Sequence, residues 1–136
     1  MKEKILKDYL DNKVNVDILA TDLKGSHRKT SDVLTSFQID DINETGEYEI
    51  TRQHLSKLCD GTIAGHLTTA DLKTIAFALI SSEYFSWDNK TTDGEIVSGT
   101  IYDWDNSDIG FPMTIDNVSR WKTYLETGEY NFNREN

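Results

Sequence analysis

Apolar residues along this 136-residue chain recur mostly at helical spacing. In KEKILKDYLDN, Ile5, Leu6, Tyr9 and Leu10 fall at i, i+1, i+4 and i+5 with charged residues between them, which predicts a short amphipathic helix. A second short helix is expected over NVDILATDLKG, capped by Asn15 and ended by Gly25. The clearest periodicity lies in LTTADLKTIAFALISS. There Leu72, Ile75, Ala76, Leu79 and Ile80 line one face, and Thr68 with Asp71 forms a capping pattern at the start. Phe77 and Ala78 widen that face, so this helix is expected at the centre of the core, covered on more than one side. Another helix is expected to begin near Asp93 in TTDGEIVSGTIYDW. Its stripe of Ile96, Val97, Thr100, Ile101 and Trp104 turns Trp104 inward and Glu95 and Asp103 outward. Finally, Thr114 caps IDNVSRWKTYLETG, which buries Val118, Trp121 and Leu125 and ends at Gly128. The polar tail EYNFNREN has Tyr130 and Phe132 with which to dock.

Residues 31–50 carry two competing patterns. Phe37 with Ile39, and Tyr48 with Ile50, alternate like strands about the turn-rich DDINETGE, which fits a small β-hairpin within residues 35–50. The rival arrangement is a short helix after Ser31, then an extended connection to a helix capped by Thr51, TRQHLSKLCDG. Pattern alone does not separate the two. No repeat, low-complexity tract or Pro/Gly-rich linker interrupts the chain, so the expected fold is mainly α. It is one compact domain over residues 1–136, a bundle of about five to six helices.

Composition adjusts this picture in two ways. With 37% hydrophobic and 28% charged residues the chain is polar, yet it has too many aromatic and aliphatic positions to read as disordered. No window approaches the run of ~20 apolar residues that spans a membrane, and MKEKILKDYLDN lacks the apolar centre of a signal peptide. A cytoplasmic protein is therefore expected. A lone cysteine, Cys59, rules out an intramolecular disulfide and reads as a small core residue.

The net charge of −10 is the strongest global signal, because it disfavours nucleic acid and anionic membrane as partners and favours basic ones. The acid is also unevenly placed. Residues 1–30 carry seven basic and five acidic side chains, whereas residues 83–108 carry seven acids against Lys90 alone. Glu83, Asp88, Asp93, Glu95, Asp103, Asp105 and Asp108 are interleaved there with Tyr84, Phe85, Trp87, Tyr102 and Trp104. A run of acids is ordinarily a solvated face and aromatics ordinarily fill a core. Their interleaving points instead to an interface, whose centre is typically aromatic. Asp105 and Asp108 fall at or beyond a helix C-terminus, where the dipole disfavours them by a few tenths to ~1 kcal/mol each. Something other than helix stability is needed to place them. For Asp108 an ordinary turn, in which the side chain bonds its own backbone, is the simpler account.

Catalytic and metal chemistry find little support. The loop beginning at Asn89 resembles a calcium loop at Asp93, Gly94 and Ile96, but has Asn89 in place of the first aspartate and Thr100 in place of the bidentate glutamate. His27, His54 and His66 form no zinc-binding pair. On a helix, His54 and Cys59 stand roughly 140° apart, poorly placed as base and nucleophile. No nucleophile elbow, P-loop or dinucleotide fingerprint occurs. The expectation is a protein that is not an enzyme, with no catalytic residues, no metal site and no cofactor.

The stretches LTTADLKTIAFALISSEYFSWD and IYDWDNSDIGFPMTIDNVSRWKTYLETGEY, with the opening KILKDYLDNKVNVDILATDLKG, resemble small acidic bacterial immunity proteins of polymorphic and contact-dependent toxin systems. That resemblance implies a helix-rich protein that neutralises a cognate toxin domain, often a nuclease, by covering its basic active-site cleft. Charge would speed and orient association, and aromatics would hold the complex. The candidate surface is Glu83, Trp87, Asp88, Asp93, Glu95, Tyr102, Asp103, Asp105 and Asp108, with no direct contact to nucleic acid or membrane. In one variant, spaced carboxylates imitate phosphates. The rival class is a structural or adaptor protein whose acidity serves only solubility.

Overall fold

The computed structural model describes residues 1–24, 27–29, 35–37, 42 and 46–132. Among these residues the chain forms six helices: α1 (Glu3–Leu10), α2 (Val16–Lys24), α3 (Arg52–Ile63), α4 (Thr69–Ser81), α5 (Thr92–Asp105) and α6 (Ile115–Thr127). The mainly helical, single-domain expectation is met. Four helices begin on a threonine whose hydroxyl accepts the backbone N–H three residues on: Thr51 from His54, Thr68 from Asp71, Thr91 from Gly94 and Thr114 from Asn117. Each such cap stabilises its helix by ~1 kcal/mol. Asn15 plays the same part for α2 by accepting from Ile18 N at 3.2 Å. Gly128, at φ 83°, closes α6 in the left-handed region that a side chain disfavours. The expected terminator of α2, Gly25, lies outside the described residues.

Two small sheets accompany the helices. β1 (His27–Lys29) pairs antiparallel with β2 (Thr35–Phe37), with His27 opposite Phe37. β3 (Tyr48–Glu49) pairs parallel with β4 (Phe85–Ser86), with Tyr48 opposite Phe85. Phe37 and Tyr48 are thus both extended, but they belong to different sheets rather than to the two arms of one hairpin. Ile39 and most of DDINETGE lie outside the described residues, as do residues 30–34, where the alternative short helix would begin. A parallel pair needs a long crossover. Here α3 and α4 provide it, so β3 and β4 close a loop around the centre of the chain.

Helix α3 packs mainly against α6, and α4 mainly against α5. At the junction Trp104 of α5 and Trp121 of α6 are both fully buried and meet edge to face, with ring centroids 6.4 Å apart. The buried positions of α4 are Leu72, Thr74, Ile75, Ala76, Ala78 and Leu79, which cover roughly 200° of the helix. The wide face expected from the sequence is present, but Phe77 is not part of it and stands 37% exposed. Small residues, Thr74 and Ala78, form the second side and admit close helix packing. The tail docks through Phe132, whose ring lies 4.9 Å from that of Trp121 and 4.5 Å from that of Phe111. Cys59 is buried, and burial pushes its thiol well above the ordinary range, as suits a core side chain. Among the described residues no helix is long and apolar enough to cross a membrane.

Candidate functional site

The acidic, aromatic stretch at residues 82–94 is shaped by local hydrogen bonds. Ser82 ends α4, and its Oγ accepts from Tyr84 N at 2.9 Å and Phe85 N at 3.1 Å, turning the chain into β4. Tyr48 N then donates to Tyr84 O and Ile50 N to Ser86 O, which sets Glu47 and Glu49 of the β3 segment beside Trp87 and Asp88. Asp88 accepts from Lys90 N through Oδ1 and from the Thr91 hydroxyl through its carbonyl, so the loop is folded back on itself before α5 begins. Gly94 makes this fold possible. A Cβ there would lie 1.6 Å from the Asp88 carbonyl oxygen, a backbone atom that cannot swing aside.

The result is a recess of about 130 Å³ between β3 and the start of α5, lined by Glu49, Thr51, Trp87, Asp88, Asp93 and Gly94 among others. It adjoins a shallower groove of about 450 Å³ along Glu47, Glu49, Ser86, Trp87 and Asp88. Glu47, Glu49, Asp88 and Asp93 are exposed, and Trp87 is half-buried with a wall of the recess on its surface. The cation that also lines the recess, Arg52, is already engaged. Its Nε donates to Leu125 O at 2.7 Å and its Nη1 to Asp93 Oδ1 at 2.8 Å, tying the start of α3 to the end of α6 and the start of α5. This leaves Glu47, Glu49 and Asp88 facing outward around an indole, an arrangement suited to an ammonium or guanidinium group.

The nine residues singled out from the sequence do not lie together. Trp87, Asp88 and Asp93 line the recess. Tyr102, Asp103, Asp105 and Asp108 lie at the far end of α5, about 18 Å away for a helix rising 1.5 Å per residue between Asp93 and Asp105. Glu83 and Glu95 are exposed outside both groups. Two acids at the far end have internal tasks. Asp103 Oδ2 accepts from Trp121 Nε1 at 3.0 Å and from the Tyr130 hydroxyl, and Asp108 pairs with Lys73 of α4 rather than with its own backbone. Tyr102 remains 47% exposed. Glu47 and Glu49, by contrast, were missed in the sequence. Their signal was the alternation Glu47-Tyr48-Glu49, legible only once Tyr48 is known to face inward on a strand.

Behind the recess runs a chain of polar contacts that the sequence did not reveal. His54 completes the α3 capping box, its Nδ1 accepting from Thr51 N at 3.0 Å. Its Nε2 lies 3.3 Å from the Tyr48 hydroxyl, which donates to Asp11 Oδ1 at 2.6 Å. The Tyr48 and His54 rings are stacked, with centroids 5.4 Å apart. Burial holds the imidazole below its ordinary pKa, and Lys57 adds to this while Asp11 and Glu49 partly oppose it. Burial and the bond to Asp11 raise the Tyr48 hydroxyl far above a free phenol. Neither ring lines the recess itself. Among the described residues no cluster of three or more His, Cys, Asp or Glu is placed to hold a metal ion.

Comparison with protein families, with curated proteins and with solved structures finds no match to this chain.

Proposed function

We propose that this protein is a non-catalytic binding protein that captures a basic partner, in the manner of an immunity protein that covers the basic active-site cleft of its cognate toxin. The observation behind this reading is the recess at the start of α5, where Glu49 and Asp88 border the half-buried Trp87 and the lining arginine is already held by Asp93 and Leu125. An arginine or lysine side chain from a partner would gain a carboxylate pair and an indole face in one place. Such a contact desolvates on binding and so contributes more than an exposed ion pair. The net charge of −10 would accelerate association with a basic surface and make it sensitive to salt.

The test is neutralisation in cells. A toxin domain encoded beside this chain should be rendered harmless by co-expression of the wild-type protein. A Glu49→Lys/Asp88→Lys variant, present at the same folded level, should fail to protect. Equal protection by the variant would remove the recess from the reading, and neighbours with no toxin to neutralise would remove the toxin partner. The adaptor alternative, in which acidity serves solubility alone, expects both reversals to leave every interaction unchanged.

A further inference from the structure

One wall of the recess is β3, which pairs with β4 through backbone hydrogen bonds and whose Tyr48 also stacks on His54. We propose that His54 is a pH-operated latch on the acidic recess: neutral, it ties Thr51 and Tyr48 into place, and protonated, it releases β3 together with Glu47 and Glu49. This concerns regulation of the same surface and rests on that surface being the binding site.

Because Thr51 N–H donates to Nδ1, the single proton of the neutral ring sits on Nε2. Nε2–H faces the Tyr48 oxygen, and the Tyr48 hydroxyl in turn donates to Asp11 Oδ1, so the imidazole and the phenol each give one hydrogen and take one. A second proton on the ring has one place to go, Nδ1. There it converts an acceptor into a donor that confronts the Thr51 N–H, and half of the capping box is lost. Tyr48 stacks on the same ring and is the residue through which β3 pairs with Phe85. Glu47 and Glu49 flank Tyr48 directly, and Trp87 follows the paired strand β4. Movement of the imidazole is therefore transmitted to both walls of the recess.

The groups around the ring set the direction of the response. Asp11 after α1 and Glu49 on β3 favour the protonated form, while Lys57 on α3 and burial oppose it more strongly. On the β4 side the neighbour is Tyr84, stacked against Tyr48 and covered by the Lys7 ammonium at 5.7 Å, which brings no negative charge to the ring. The folded ring thus titrates below the ordinary histidine value of 6.5. A depressed histidine contributes stability that is complete above that value and is lost as pH falls from it through the folded pKa.

The experiment uses the protein alone, so its failure leaves the toxin reading standing and the reverse also holds. His54→Gln keeps a capping-box partner at this position and cannot take a proton in the range tested. Wild type and His54→Gln, labelled with 5-fluorotryptophan and with the Trp87 resonance assigned from Trp87→Phe, are titrated from pH 7.5 to 5. The Trp87 resonance of the wild type should move with a midpoint below 6.5, matching the midpoint of the His54 ring observed by nitrogen NMR, and that of His54→Gln should stay fixed. An equal shift in His54→Gln, or a wild-type Trp87 signal that ignores the His54 titration, would overturn the latch. Should His54→Gln fail to fold, agreement or disagreement of the two wild-type midpoints decides the matter.

Discussion

At the start of α5, Asp93 and Glu95 sit where the positive end of the helix dipole favours them, and Asp93 also meets Arg52. At its end, Asp103 and Asp105 sit where the dipole opposes them, with no basic residue in the last turn to compensate. The difference shows how one residue type serves unlike ends. Acids at the start follow an ordered loop that leaves Asp88 turned outward beside Trp87. At the far end Asp103 accepts the buried indole of Trp121 and clasps the tail through Tyr130, and Asp108 reaches across to Lys73. These bonds to Asp103 are worth more than its dipole penalty. A hydrogen bond to a charged acceptor contributes ~1.5–3 kcal/mol, against a few tenths to ~1 for the dipole.

The largest disturbance of this contrast comes from Gly94→Ala. Alanine is favoured over glycine inside a helix by about 1 kcal/mol, but here its Cβ meets the Asp88 carbonyl. The steric term wins because the obstacle is backbone. Overpacking of this kind costs about 3 kcal/mol, so a net loss of ~2 kcal/mol or more is expected in urea unfolding, with a changed Trp87 emission. Unchanged stability would mean that the loop at residues 88–91 yields easily, and the recess would then not be preformed.

Asp103→Ala tests the other end. It leaves Trp121 Nε1 buried without an acceptor and removes the bond that the Tyr130 hydroxyl donates to Asp103, for an expected loss of about 1–3 kcal/mol. Asp103→Asn keeps an oxygen acceptor and should recover most of that loss. If alanine and asparagine destabilise equally, the negative charge rather than the hydrogen bonds matters at this position. Trp104 provides a natural comparison, since its own Nε1 is buried without a partner among the described residues and the indole is retained by packing alone.

Much of the scaffold could be read from the chain because helical periodicity and threonine caps report local physics. Thr51, Thr68 and Thr114 were each identifiable from the residues that follow them. Thr91 was not, since the pattern puts the start near Asp93 until the loop at Asp88 is seen folding against it. Trp104 and Trp121 were legible as core from their stripes, whereas the acceptor joining Trp121 to Asp103 required knowing that α5 and α6 meet there. Phe77 misled because a helix face can be widened by small residues alone, with the large one left at its margin. The recess was the least legible feature. Its two walls come from residues 47–51 and 86–94, joined by a parallel pairing of two residues each that leaves no trace in local pattern.

The finest test is Asp105→Ala. Asp105 is half-buried in the last turn of α5, opposes the dipole, and has no hydrogen bond or ion pair among the described residues. Removing it should raise stability by about 0.3–1 kcal/mol, from relief of the dipole and from alanine's higher helix propensity. Asp108→Ala, which breaks an exposed pair with Lys73, should instead lower stability by no more than about 1 kcal/mol. Opposite signs for two aspartates three residues apart would establish that the far end of α5 mixes a structural acid with one that the fold does not need. If Asp105→Ala is destabilising, that distinction fails and Asp105 joins Asp103 as a stabilising contact. If it is stabilising but weakens capture of a basic partner, the interface extends from the recess along α5 to its C-terminal end.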